Sequence, residues 1–188
     1  MVEIISVYMI ILYSALFGVF AKLTDLLSEH DLKWFRGSSI LFGILWGASL
    51  ALLIKQNNFL ANFWIAILIH WIFRGKIDNI SHGLATSIVL LVFIWDTNFV
   101  ADWVLLLSAF FVFIIFGLFR EFRYIKSNIF IELNFHGFVL IIMLLVFINA
   151  DYWIVLLSFF VNTIFYQLTK KFGMLHKSDK SEIVPQSL

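Results

Sequence analysis

Seven apolar stretches, separated by short polar breaks, account for most of this chain: about Ile4–Ala21, Gly37–Ile54, Phe59–Phe73, Ile80–Trp95, Trp103–Phe119, Phe135–Asn149 and Tyr152–Leu168. None alternates apolar and polar residues as a half-buried strand does. Unbroken apolar runs form helices where no water is available to the backbone. Crossing a hydrocarbon layer takes roughly 20 residues. The third, fourth and sixth stretches are shorter, so they need flanking residues or a locally thinned bilayer. The pattern predicts an all-α, polytopic membrane helix bundle of about seven transmembrane helices over residues 1–169, then a flexible cytoplasmic basic tail over residues 170–188.

Composition argues against a soluble globule. Apolar residues make up 62% of the 188 positions and charged residues 13%, with mean hydropathy +0.99. A soluble domain averages about 45–50% apolar and about 25% charged, and a chain this short cannot hide the excess. The absence of Cys excludes disulfides, thiolate metal sites and cysteine nucleophiles. A net charge of +1 points away from nucleic acid and leaves membrane lipids as the expected partner, with a homo-oligomer also compatible.

The placement of charge sets an expected orientation. Of the 13 Lys and Arg residues, all but Lys55 fall in the breaks after the first, third and fifth stretches or in the tail. The positive-inside rule assigns that side to the cytoplasm, with the N-terminus extracytoplasmic and the C-terminus cytoplasmic. Without an early basic residue, the first stretch does not read as a signal peptide.

The chain also resembles itself. Residues 77–94 align without a gap on residues 131–148, with His82-Gly83 and His136-Gly137 in register. The following Trp103, Leu106, Leu107 and Ser108 parallel Trp153, Leu156, Leu157 and Ser158. This predicts parallel helical hairpins over about 37–76, 77–120 and 131–169, plus an extra first helix.

Candidate chemistry gathers on the cytoplasmic side. Asp78 precedes His82, and Glu132 precedes His136, by four residues, a spacing that shares one helix face if each helix extends down by a turn. Two such pairs would suit zinc, manganese or iron, and magnesium less well. The plainer alternative makes Asp78 and Glu132 helix-terminal acids that suit the dipole. The first break adds Asp25 and Glu29 at the same spacing, then His30: a further ligand set, an acid–base group led by Glu29 and His30, or only a solvated loop. Arg74, Lys76, Arg120 and Arg123 could hold a phosphate or serve topology alone. His70, a turn inside the third stretch, suits a pocket wall or a structural hydrogen bond; a haem ligand would need a second His at similar depth in a facing span, and the sequence has none. Gly43-x-x-x-Gly47 predicts close helix packing.

Three functions follow. The first is an integral membrane enzyme with a divalent metal at the cytoplasmic interface, acting on a phosphate-containing lipid or isoprenoid. The second is a small transporter or channel for protons or metal ions, and the third a non-catalytic membrane subunit. The first uses more of the charged residues, and the sparse polar groups in the spans weigh against a through-path.

Overall fold

A computed structural model of the protein describes residues 4–30, 32, 34–95, 98–121 and 143–182. Among them all regular structure is helical and no strand occurs. The helices are α1 (Ile4–Ser28), α2 (Ser38–Ile54), α3 (Asn58–Phe73), α4 (Ile80–Trp95), α5 (Trp103–Glu121), α6 (described over 143–148) and α7 (Trp153–Glu182). A 3-10 turn at Ala150–Tyr152 leads into α7. Two segments are long and apolar enough to cross a membrane, Ser6–Ser28 and Ala150–Gly173, while α2 to α5 provide shorter apolar helices.

The apolar runs locate the helices, and local chemistry trims their ends. Asn57 starts α3 by accepting a hydrogen bond from the Phe59 amide (2.8 Å). At its other end Gly75 takes φ +61°, and the Gly75 and Lys76 amides reach back to the Ile72 and Trp71 carbonyls at 3.0 and 2.9 Å. This is the glycine-terminated Schellman stop. Asn79 caps α4 by accepting from the His82 amide at 3.0 Å.

Two ends differ from expectation. α1 continues two turns past Ala21, because Lys22 and Asp25 pair at i, i+3 and their charges do not break the helix. α7 carries on through Lys170 and Lys171 to Glu182, where a flexible tail was expected. The repeat expected at 131–148 lies mostly outside the described residues.

Packing does not follow chain order. α1 lies between α2 and α7, α2 runs along α4, and α3 runs along α5, whereas α2 and α3 touch little. The core is centred on α3, whose Leu60 to Leu68 are buried throughout. Bare backbone lets the helices close up. A Cβ on Gly43 would meet the Ser81 carbonyl oxygen at 2.6 Å, and one on Gly47 would meet Ala85 backbone at 2.7 Å. The Gly43-x-x-x-Gly47 stripe is therefore the seam between α2 and α4. Gly18 of α1 sits likewise against the backbone of Asn162 on α7. Inside the bundle, Trp64 Nε1 donates to Ser158 Oγ (3.0 Å), which lies 2.8 Å from Ser14 Oγ, joining α3, α7 and α1.

A polar knot ties the end where α3 begins. Asn58 Nδ2 and Asn62 Nδ2 donate to the Val100 carbonyl at 2.6 and 2.9 Å, and Asn62 Oδ1 accepts from the Asp102 amide at 2.8 Å. Tyr152 Oη donates to Asp102 Oδ2 at 2.6 Å. The start of α3, the α4–α5 connection and the 3-10 turn are thus held together.

The α2–α4 seam yields a stability test. Gly47→Ala should lose about 1–3 kcal/mol through overpacking, read as a lower thermal midpoint of the purified protein. Gly83→Ala, whose Cβ meets nothing within 4 Å, should cost nothing.

Candidate functional site

At the opposite end from the knot, where α1 ends and α4 begins, lies a cavity of about 490 Å³. Its mouth carries three acids, Asp25, Glu29 and Asp78, and two bases, Arg74 and Lys76. Phe17, Trp46 and Trp71 form the inner wall, with His82, Thr86 and Tyr166 set among them. The volume suits a small ligand or a lipid headgroup.

The last turns of α1 present Asp25 and Glu29 one above the other, with the helical hydrogen bond from the Glu29 amide to the Asp25 carbonyl intact at 2.8 Å. The first turn of α4 presents His82 against them. His82 Nε2 is 3.4 Å from Asp25 Oδ1 and 3.8 Å from Glu29 Oε1. The three ligand atoms all lie within 4.8 Å of one another. His82 Nε2 is itself buried and makes no hydrogen bond.

Asp25 is fixed from its other oxygen. Tyr166 Oη donates to Oδ2 at 2.7 Å, and Lys22 Nζ donates to the same atom at 3.3 Å. Lys22 Nζ also lies 3.3 Å from Tyr166 Oη and 5.0 Å from the centre of its ring. At 5% exposure, Lys22 belongs to the interior and not to the basic surface on which the sequence placed it. Burying an ammonium is tolerable only with its carboxylate in place. The same contact aims Oδ1 at His82.

Arg74 follows the stop of α3 and crosses to α5. Its Nη2 donates to the Gly117 carbonyl at 2.8 Å, and its Nη1 lies 3.1 Å from His70 Nε2. A Cβ on Gly117 would collide with the guanidinium, so the missing side chain there makes the berth. His70 is buried, and its ring lies 5.7 Å from that of Phe113. It backs Arg74 and is not among the cavity residues.

The expected site residues therefore divide. His82, Asp25, Glu29, Arg74 and Lys76 share one cavity. Asp78 lines it too, but not through the expected helix face. α4 starts only at Ile80, so Asp78 lies before the helix, outside the trio, and accepts from Asn79 Nδ2 at 3.3 Å. His30 lies past the end of α1 and is not part of the cavity wall. Arg120 falls in the last turn of α5; Arg123, Glu132 and His136 lie outside the described residues. Sequence reasoning missed Lys22, Trp46, Thr86 and Tyr166. For Lys22 the i, i+3 spacing to Asp25 was a usable signal. The other three look like ordinary occupants of apolar helices.

A smaller cavity of about 320 Å³ at the knotted end, lined by Lys55, Gln56 and Asn57 among others, has no acid or His in its wall.

The buried ion pair makes a clear prediction. Asp25→Leu should cost about 3–5 kcal/mol by stranding Lys22, while Lys22→Met with Asp25→Leu should recover most of it. Thermal midpoints of the two proteins measure this. Comparison with family models, with curated proteins and with solved structures gives no match for this chain, so any functional reading rests on the residues and their geometry.

Proposed function

We propose that this chain is a multi-pass membrane enzyme that holds a divalent metal on Asp25, Glu29 and His82 and acts on a phosphate-bearing lipid at the cytoplasmic face. The spacing of the three ligand atoms carries this reading. Two atoms bound to a tetrahedral metal at about 2.0–2.1 Å lie roughly 3.4 Å apart. The 3.4 and 3.8 Å separations from His82 Nε2 match that, and Nε2 makes no hydrogen bond, so it has a lone pair to offer a metal in place of its ionic contact with the two acids. Glu29 is half exposed, with room to close the remaining distance. One imidazole and two carboxylates favour zinc, manganese or iron over magnesium.

Each neighbouring group has a role in this scheme. The metal would polarise a phosphoryl or carbonyl oxygen, or activate water. Arg74, anchored on the Gly117 carbonyl, and Lys76 would hold the phosphate from the other side of the mouth. Glu29, read from sequence as a proton carrier, becomes a ligand, and Asp78 takes its place as the acid beside the mouth.

Two observations support the membrane setting. Large apolar side chains face outward along the shorter helices, including Leu41, Ile44, Leu52, Leu91 and Phe111. An outer surface of this kind suits lipid. Helices of 16 or 17 residues reach about 24–26 Å, which a slightly thinned bilayer accepts. A channel is disfavoured: buried Leu60 to Leu68 of α3 separate the two cavities.

Protein purified without chelator should contain about one zinc, manganese or iron per chain. Metal affinity should fall at least about tenfold in His82→Ala and in Glu29→Ala, and stay unchanged in His30→Ala. Metal analysis and competition with a chromogenic chelator measure this. A wild-type protein that binds none of the three metals at micromolar concentration overturns the proposal.

A further inference from the structure

Two residues of the cavity wall each carry a polar atom that the fold leaves unsatisfied. Trp46 Nε1 and Thr86 Oγ1 are buried without a hydrogen-bond partner, in residues 2% and 6% exposed. Both residues line the cavity. Elsewhere the same side chains find partners. Trp64 Nε1 has Ser158 Oγ, and the hydroxyls of Thr24, Thr163 and Thr169 each donate to the carbonyl four residues back at 2.8 Å. Thr86 has the same helical option toward His82 and does not take it. An unmet buried donor is costly, and two such donors on residues that line one cavity point to a ligand atom admitted there.

Their chemistry defines that atom. An indole N–H only donates, and a hydroxyl that makes no back-bond has its proton to give. The indole calls for an acceptor and the hydroxyl can donate to the same one, an oxygen of the ester, ether, carbonyl or hydroxyl kind. Thr86 stands one turn along α4 from His82 on the same face, a rise of about 6 Å. The Trp46 ring lies 6.1 Å from that of His82. Phe17 and Trp71 complete an aromatic wall that suits a largely apolar ligand segment.

Resting on the phosphate-and-metal reading of the mouth, we infer that the substrate is a glycerol-based lipid phosphate, whose backbone oxygen is received by Trp46 and Thr86. Such a lipid carries ester, ether or hydroxyl oxygens within a few bonds of its phosphate. A polyprenyl phosphate offers only hydrocarbon at that distance and would leave both donors unmet. A soluble glycerol phosphate has the same headgroup chemistry without the chains.

The test compares binding of phosphatidic acid, undecaprenyl phosphate and glycerol 3-phosphate to the metal-loaded, full-length protein in detergent. Wild type should bind phosphatidic acid about tenfold more tightly than undecaprenyl phosphate, the equivalent of one hydrogen bond. Thr86→Val should erase this preference, leave metal content and undecaprenyl phosphate affinity unchanged, and raise the thermal midpoint of the ligand-free protein. Thr86→Ser should restore the preference. Trp46→Phe should act in the same direction as Thr86→Val. Thr86-dependent binding of glycerol 3-phosphate equal to that of phosphatidic acid supports the same acceptor chemistry with a water-borne source. Equal wild-type affinity for the two lipids, or a preference indifferent to Thr86→Val, overturns this inference while leaving the metal reading intact. Failure of all three ligands to bind, in protein that also holds no metal, overturns both.

Discussion

Close approach of helix backbones is the constraint on which the rest of this molecule depends. Where α2 meets α4, Gly43 and Gly47 carry no side chain, and Ser81 and Ala85 occupy the space. Where α1 meets α7, Gly18 does the same against Asn162. Dispersion between such surfaces falls away within an ångström of added separation. These two seams hang α1 and α4 from neighbouring helices at a fixed spacing, and that spacing sets Asp25 and Glu29 across from His82. Residues more than fifty positions apart thus meet because small residues elsewhere allow it.

The second organising force is electrostatic. One lysine, one aspartate and one tyrosine from α1 and α7 form a part-buried group centred on Asp25 Oδ2, which accepts from both of the others. Such groups contribute little net stability compared with apolar packing but are costly to break. Here the arrangement also has a directional effect. With Oδ2 of Asp25 occupied by Lys22 and Tyr166, only Oδ1 remains for the cavity. The carboxylate is pre-oriented, as a metal ligand or substrate clamp needs to be.

The helices were legible in the chain because apolar runs here are long and their stops are chemically marked, by Gly37 before α2, Asn57 before α3 and Gly75 after it. Their ends were less so. Lys22 and Asp25 read as loop charges when taken singly, and as helix only once they are seen to cancel. At the site, His82 stood out because its His-Gly recurs at His136-Gly137, with an acid four residues before each. Its local partner was misjudged: Asp78 is near in sequence, but Asn79 starts the helix and leaves Asp78 before it. Its neighbours in the structure, Asp25 and Glu29, were identified as candidates without any means of joining them to His82, since helix pairing is not written in periodicity. Trp46 and Thr86 were invisible, because whether a polar atom in an apolar helix has a partner depends on what stands opposite.

The knot at the start of α3 has a mechanical consequence. Asn58, Asn62, Asp102 and Tyr152 bolt three segments together at one pole, whereas the pole with the cavity is joined across α1 and α4 mainly by groups that would release one another on meeting a guest. If those contacts yield to a guest while the knot holds, the cavity pole opens and the other stays shut. A long-tailed molecule could then slip in sideways at the open pole, with no need for a pore through the bundle.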